Sequence, residues 1–356
     1  MRTDALDTPV LLADLDVFDA NLARCVADLD GRAALRPHLK TTKSPDAARR
    51  LLAGGATGVC VAKLSEAEVM LAAGLSDVLI TTEIAGYAKV GRLAALLKAH
   101  PDQRVIVVVD DDSAARVIHS ILANARLPPV DVLLDIDVGQ HRTGVAPADA
   151  PHLARVVSRL DRLRIVGVQG YEGHLQHVRD PAERDALVDA AMERLTDTAD
   201  TLKDGGHAID IVSTGGTGTA TRCASHAAVT EVQPGSFVFM DGDYLATGGL
   251  PYAAGLTVRA TVISRHGDRV VVDAGLKTLS DDSGPATVLT PQGLSYHHAG
   301  DEHGLLSGPN DLAVGDVVTL IPSHCDTTVN LHDELVVQRD GEIVDRWPIS
   351  ARGRVQ

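Results

Sequence analysis

Two stretches decide the fold: RVIVVVD at residues 104–110 and VDVLLDID at residues 130–137. Each is a run of β-branched and apolar residues that ends in an acid. A strand with one wet face alternates polar and apolar residues. Runs apolar on both faces read instead as strands covered on both sides, as in a parallel sheet. The same signature recurs upstream as PVLLA (9–13), ALRPH (34–38), GVCVA (58–62) and DVLIT (77–81). Downstream it recurs as LRIVGVQG (163–170) and AIDIVSTGG (208–216). Amphipathic stretches rich in Ala, Leu and Arg lie between them. In SEAEVMLAAG (65–74), Ser65 is placed to cap a helix, Glu66 and Glu68 suit its positive end, and Gly74 stops it. Eight such units over roughly 235 residues match a (β/α)8 TIM-type barrel, which usually takes about 250. A doubly wound open sheet is the alternative, but no GxGxxG follows the first run.

Past Gly248-Gly249 the pattern changes. LTVRATVISRHGDRVVVDAG (256–275) reads as two alternating strands around a turn at His266-Gly267-Asp268, and a second hairpin is expected at Asp340-Gly341. The expected division is a barrel over 9–247 and a mainly antiparallel β domain over 248–356, joined by residues 1–8.

Composition narrows the function. With 33 basic and 48 acidic residues among 356, the net charge is −15, which repels phosphate backbones. Aromatic residues are only 3%, too few for the stacking platforms of single-strand binders. Nucleic acid is therefore not an expected partner. No apolar run approaches the ~20 residues that cross a bilayer, and the start MRTDALDTPV lacks a signal-peptide core. Cys25, Cys60, Cys223 and Cys325 are scattered without a CxxC pair, so a reducing, cytoplasmic setting is expected.

In a TIM-type barrel the chemistry gathers where strands end. Lys40 follows ALRPH, Arg142 lies in DIDVGQHRTG, Tyr171 and His174 lie in YEGH, and STGGTGT (213–219) follows the last run. A surface position is the ordinary fate of a lysine, but one aimed into a barrel mouth is desolvated and freed for a Schiff base. The glycine loop, either a plain tight turn or an anion cradle, carries Gly215, Gly216, Thr217 and Gly218, whose amides can point one way. A lysine and a phosphate cradle in one mouth point to pyridoxal phosphate. Arg142 either pairs with Asp135 and Asp137 or faces that cofactor's phenolic oxygen. In IPSHCDTTVNLHD, His324 and Asp326 stand two apart, so on a strand both face one side and Cys325 the other. Such a pair either makes one hydrogen bond or holds a divalent metal with water completing the shell.

RPHLKTTKS, DIDVGQHRTGV, YEGH, STGGTGT, VQPGSFVFMD, DAGLKTLS and IPSHCDTTVNLHD, in that order, resemble the D-threonine aldolase / D-serine dehydratase family of alanine-racemase-like, fold-type III pyridoxal phosphate enzymes. The resemblance runs from DTPVLLADLD to RWPISARGR. It implies that Lys40 is the Schiff-base lysine, that Arg142 lies near the phenolic oxygen, and that Tyr171 and His174 are active-site residues, His174 in acid–base work. It also implies a phosphate loop at Gly215–Gly218 and metal ligands at His324 and Asp326. The family commonly reads PHxKTHK, whereas Thr42 stands here in place of that histidine. Dehydratases of the family resemble His-x-Cys, which suits zinc; the His-x-Asp of this chain is similar to the aldolases and suits Mn²⁺, Co²⁺ or Mg²⁺. The resemblance thus implies a homodimer that cleaves D-β-hydroxy-α-amino acids to glycine and an aldehyde. The rivals are a β-eliminating dehydratase, a racemase, and a non-catalytic pyridoxal phosphate carrier.

Overall fold

Residues 2–356 are described by a computed structural model, and their strands form two sheets. The first strand, β1 (Val10–Asp14), carries the PVLLA run expected to open the barrel. It does not lie there. β1 pairs antiparallel with Leu256–His266, Val10 opposite Arg259, and parallel with Glu334–Arg339, Leu12 opposite Val336. It is therefore an inner strand of the nine-stranded sheet. The physical reason is plain: an inner strand of either sheet is buried on both faces, and only its partners tell the two apart.

The barrel proper is the eight-stranded sheet. Its strands are β2 (Ala34–Leu35), β3 (Val59–Val61), β4 (Asp77–Ile80), β5 (Arg104–Val109), β6 (Val130–Asp135), β7 (Leu163–Gln169), β8 (Ile211–Thr214) and β9 (Glu231–Val232). Neighbours pair in parallel, as Ile80 with Val107 and Val107 with Val132. β9 then returns to β2, with Ala34 opposite Glu231. The ring closes beyond the ends of its ladders, where His38 bridges Cys60. There the Cys60 amide donates to the Pro37 carbonyl at 2.9 Å and the Leu39 amide to the Cys60 carbonyl at 2.8 Å. Cys60, Leu79, Ile106, Val108, Leu133 and Val166 pack one interior cluster. Helix Leu64–Ala72 forms as expected, except that Ser65 lies inside its first turn. The capping acceptor is Glu66, which takes the Ala62 and Lys63 amides at 2.8 and 3.0 Å.

Charge is also buried in the barrel. Arg36 is 3% exposed and donates to Glu231 at 2.8 Å and to Asp77 at 2.7 Å. Burial opposes its charge, and Glu231 and Asp77 outweigh that. A Cβ on Gly58 would meet the Arg36 guanidinium at 2.2 Å, so only glycine fits beside it.

The second sheet runs Arg269–Val272 (β11), Gly304–Ser307 (β14), Ser295–His298 (β13), Thr287–Thr290 (β12), Val317–Ile321 (β15), Leu256–His266 (β10), β1, Glu334–Arg339 (β16) and Glu342–Pro348 (β17). Both expected hairpins form. At the β16–β17 turn Asp340 and Gly341 have φ of +51° and +74°, as a two-residue turn requires. Phe18 packs edge-on against Phe239 and Trp347 at 5.8 and 5.7 Å. By contact, residues up to Arg24, Thr41–Ala47 and Ser236–Gly353 form this β unit, and Cys25–Lys40, Ala48–Gly235 and Arg354–Gln356 form the barrel unit. Residues 236–247, expected with the barrel, thus group with the β unit.

Removing the cation from a buried pair strands its partners, a loss of about 3–5 kcal/mol, whereas an exposed pair is worth about 0–1. Arg36→Ala is expected to lower the unfolding midpoint in urea markedly. Arg346→Ala, which removes a surface pair with Glu334, is expected to leave it nearly unchanged.

Candidate active site

Because every barrel strand is parallel, the segments after β2, β6, β7 and β8 all emerge at one end. The expected site residues lie in these segments. Lys40 sits in a turn rather than on a strand, directly past the closing bridge. Its amide donates to His38 Nδ1 at 3.2 Å, which leaves the proton of the neutral ring on Nε2, 3.0 Å from the Thr81 hydroxyl. His38 is thereby fixed on both ring nitrogens.

Arg142 does not take the ion pair weighed for it. Its guanidinium lies over the Tyr171 ring, 5.6 Å from the centroid. His141, its neighbour, takes Asp137 instead at 2.7 Å. Despite partial burial, the His141 and Gly139 amides and the His141 ring hold the Asp137 carboxyl below the usual range. Arg142 and Tyr171 also line a small cavity with Asp135, Gln140, Thr143 and Gln169. His174, exposed in a short 3₁₀ turn, stands over Gly139, where an added Cβ would be 3.6 Å from its Nε2.

The glycine loop departs from expectation in one respect. Three of its amides are taken up by the protein: Gly215 donates to Glu172 at 3.4 Å, Gly216 to Thr219 at 3.0 Å and Gly218 to Gln176 at 2.9 Å. Glu172, fully buried, also accepts from the Thr214 hydroxyl at 2.9 Å and from the Thr219 hydroxyl. A Cβ on Gly218 would lie 2.3 Å from the Gln176 carbonyl oxygen. The loop is thus braced from behind. On the next loop, after β9, the Gly235 amide meets no acceptor among the described residues. Glu172, Gln176 and Gly235 were missed by the sequence reading, although YEGH and VQPGSF contain two of them.

Deeper in the barrel, Asp135 accepts from Gln169 at 2.9 Å and from Thr143 at 3.0 Å. Burial, with the Glu83 carboxyl beside it, pushes its pKa up to about 8.

The second candidate group belongs to the β unit. The sequence reading put His324 and Asp326 on a strand; they instead open a short helix, Cys325–Val329, with His324 as its N-cap and Asp326 in its first turn. They still come together, His324 Nε2 lying 4.0 Å from Asp326 Oδ2. Metal bonds of about 2.0–2.2 Å from each side span that gap, so the pair fits a divalent ion. Despite burial, Asp326 and Asp282 raise the His324 pKa. Cys325 is fully buried, and burial pushes its thiol up, which keeps it from being a ready thiolate.

An alanine-racemase-like architecture is what the barrel, its mouth and the appended β sheet define, and comparison with known proteins agrees. The alanine racemase N-terminal domain family matches residues 13–243, and a putative serine dehydratase domain matches residues 255–338. The chain belongs to the first family, with the second domain following it. It is 41% identical to D-threonine aldolase of an Arthrobacter species, over 98% of this chain and 93% of that protein. It is 35% identical to 3-hydroxy-D-aspartate aldolase of Paracoccus denitrificans (strain Pd 1222), over 99% and 94%. The crystal structure of D-threonine aldolase from Filomicrobium marinum superposes with a TM-score of 0.96 at 38% identity, over 100% of this chain and 98% of that one.

A carboxyl that ionises near pH 4 when unfolded but near 8 when folded binds an extra proton in the native state across that window. Asp135 therefore makes stability fall as pH rises from about 4 towards 8. In thermal melts over that range, Asp135→Asn is expected to flatten the decline. Parallel curves for the two proteins would place the proton elsewhere.

Proposed function

We propose that this chain is a carbon–carbon lyase that cleaves D-β-hydroxy-α-amino acids of the D-threonine kind to glycine and an aldehyde. The reading uses pyridoxal phosphate and a divalent metal, in a cytoplasmic homodimer that takes a small-molecule substrate. The observation that carries it is the His324–Asp326 pair, a nitrogen and a hard oxygen 4.0 Å apart beside a buried thiol. A dehydratase-like site would place sulfur where Asp326 stands. Relatives named as aldolases over nearly the whole chain support the same choice.

The residues of the mouth fit the cofactor. Lys40 would hold it covalently, and Arg142, steadied on the Tyr171 ring, would stand near its phenolic oxygen. The Gly215–Gly218 loop, its amides at 215, 216 and 218 held by Glu172, Thr219 and Gln176, would border the phosphate, and the Gly235 amide would donate to it. His324 and Asp326 hold the metal. When bound, the cofactor supplies an electron sink for the pair left at Cα, and the metal acidifies the β-hydroxyl. His174 is the base that removes the β-hydroxyl proton, and its exposed ring over Gly139 is open to a ligand entering the mouth. The D preference is carried over from the relatives named D-threonine aldolase and 3-hydroxy-D-aspartate aldolase.

With D-threonine the expected products are acetaldehyde and glycine, with L-threonine inert. EDTA is expected to abolish turnover and Mn²⁺ to restore it; 2-oxobutyrate and ammonia would instead establish a dehydratase. Borohydride reduction of the cofactor-loaded protein, followed by peptide mapping, is expected to label Lys40 and not Lys43. His174→Ala is expected to keep the label and lose about 10²–10⁴-fold in kcat.

A further inference from the structure

Asp282 is absent from the residues the sequence singled out. It lies in the loop after DAGLKTLS, 42 positions before His324, and its Oδ2 accepts from His324 Nδ1 at 2.6 Å. Its other oxygen, Oδ1, accepts from the Ser280 hydroxyl at 2.6 Å and the Thr327 hydroxyl at 2.8 Å. Both carboxylate oxygens are therefore engaged. The loop is further tied to the helix, since the Ser280 amide donates to the Thr328 hydroxyl oxygen at 3.3 Å and Ser323 donates to the Ser280 carbonyl at 3.2 Å.

A neutral imidazole has one N–H and one lone pair. With the proton on Nδ1 and committed to Asp282, the lone pair is on Nε2, the atom that faces Asp326 Oδ2 across 4.0 Å. We infer that Asp282 is a positioning residue that sets the tautomer and the aim of His324 for a divalent cation held between His324 and Asp326. It is not a third ligand, because either oxygen would have to abandon its present donors. Consistently, no three His, Cys, Asp or Glu side chains among the described residues form a metal cage. Two protein ligands and one outer carboxylate describe an open site, with most of the ion's coordination left to water and substrate. Thr327 adds a constraint: it neighbours Asp326, so a single hydroxyl ties the outer carboxylate to the segment that carries the second ligand.

The inference rests on the proposed metal reading, and the test separates the two. Mn²⁺ alone is titrated into the full-length chain stripped with EDTA, free Mn²⁺ being read by electron paramagnetic resonance. Loss of an outer partner typically weakens metal binding about 10–100-fold. Asp282→Ala is expected to fall in that range. Asp282→Asn, which keeps an acceptor for Nδ1–H and nearly the same shape, is expected to lose less than tenfold but more than twofold. Circular dichroism checks folding, and Asp282→Asn decides if Asp282→Ala does not fold. If His324→Ala and Asp326→Ala lose Mn²⁺ while both Asp282 variants bind within twofold of the parent, Asp282 has no positioning role. If His324→Ala and Asp326→Ala bind as the parent does, the metal reading fails and this inference fails with it.

Discussion

The barrel unit depends on its closing seam. β2 is two residues long and β3 three, too short to hold a ring shut through ladder bonds alone. Closure is completed by the Pro37–Leu39 segment lying along Cys60, with two backbone bonds. The next residue is Lys40. The backbone that shuts the ring thus also fixes where the lysine leaves it, and His38 adds a side-chain bond to the same turn. Pairing these backbone groups as the seam buries them avoids the cost of about 1–3 kcal/mol for each buried orphan. The chemistry inherits its geometry from that requirement.

A second constraint is the handling of buried charge. Arg36 is set between two acids, Glu172 is surrounded by hydroxyl and amide donors, and Asp135 retains its proton. These are three answers to one problem, since an isolated charge in a dry interior is far too costly to keep. Two of these answers shape the mouth. Glu172 holds the glycine loop from behind, and the Asp135–Gln169 bond orders the wall of the cavity that Arg142 and Tyr171 line.

Much of this was legible in the sequence, and the failures have physical causes. RVIVVVD and VDVLLDID gave strands buried on both faces, because that property is local. PVLLA was assigned to the wrong sheet, since partner choice is a long-range property that a run of five residues does not encode. The true eighth strand, Glu231–Val232, was overlooked because two residues carry no periodicity. His324 and Asp326 do come together, but at a helix start and not on the expected strand, because spacing of two is compatible with the N-cap and first turn of a helix as well. Asp282 and Glu172 left no signal: an acid in a loop or beside a tyrosine becomes special only through the groups the fold brings to it.

The four cysteines are buried and none is in a disulfide, and three of them stand at informative places. Cys60 is in the barrel seam, Cys223 is 3.7 Å from the Glu172 carboxylate behind the glycine loop, and Cys325 lies between the two proposed metal ligands. Burial pushes all three thiols up, so an alkylating reagent meets neither access nor thiolate in the closed state. The rate at which each sulfur is captured is therefore a clock for its own neighbourhood. The molecule carries three native stopwatches, able to time the opening of the ring, the loop and the metal pair separately.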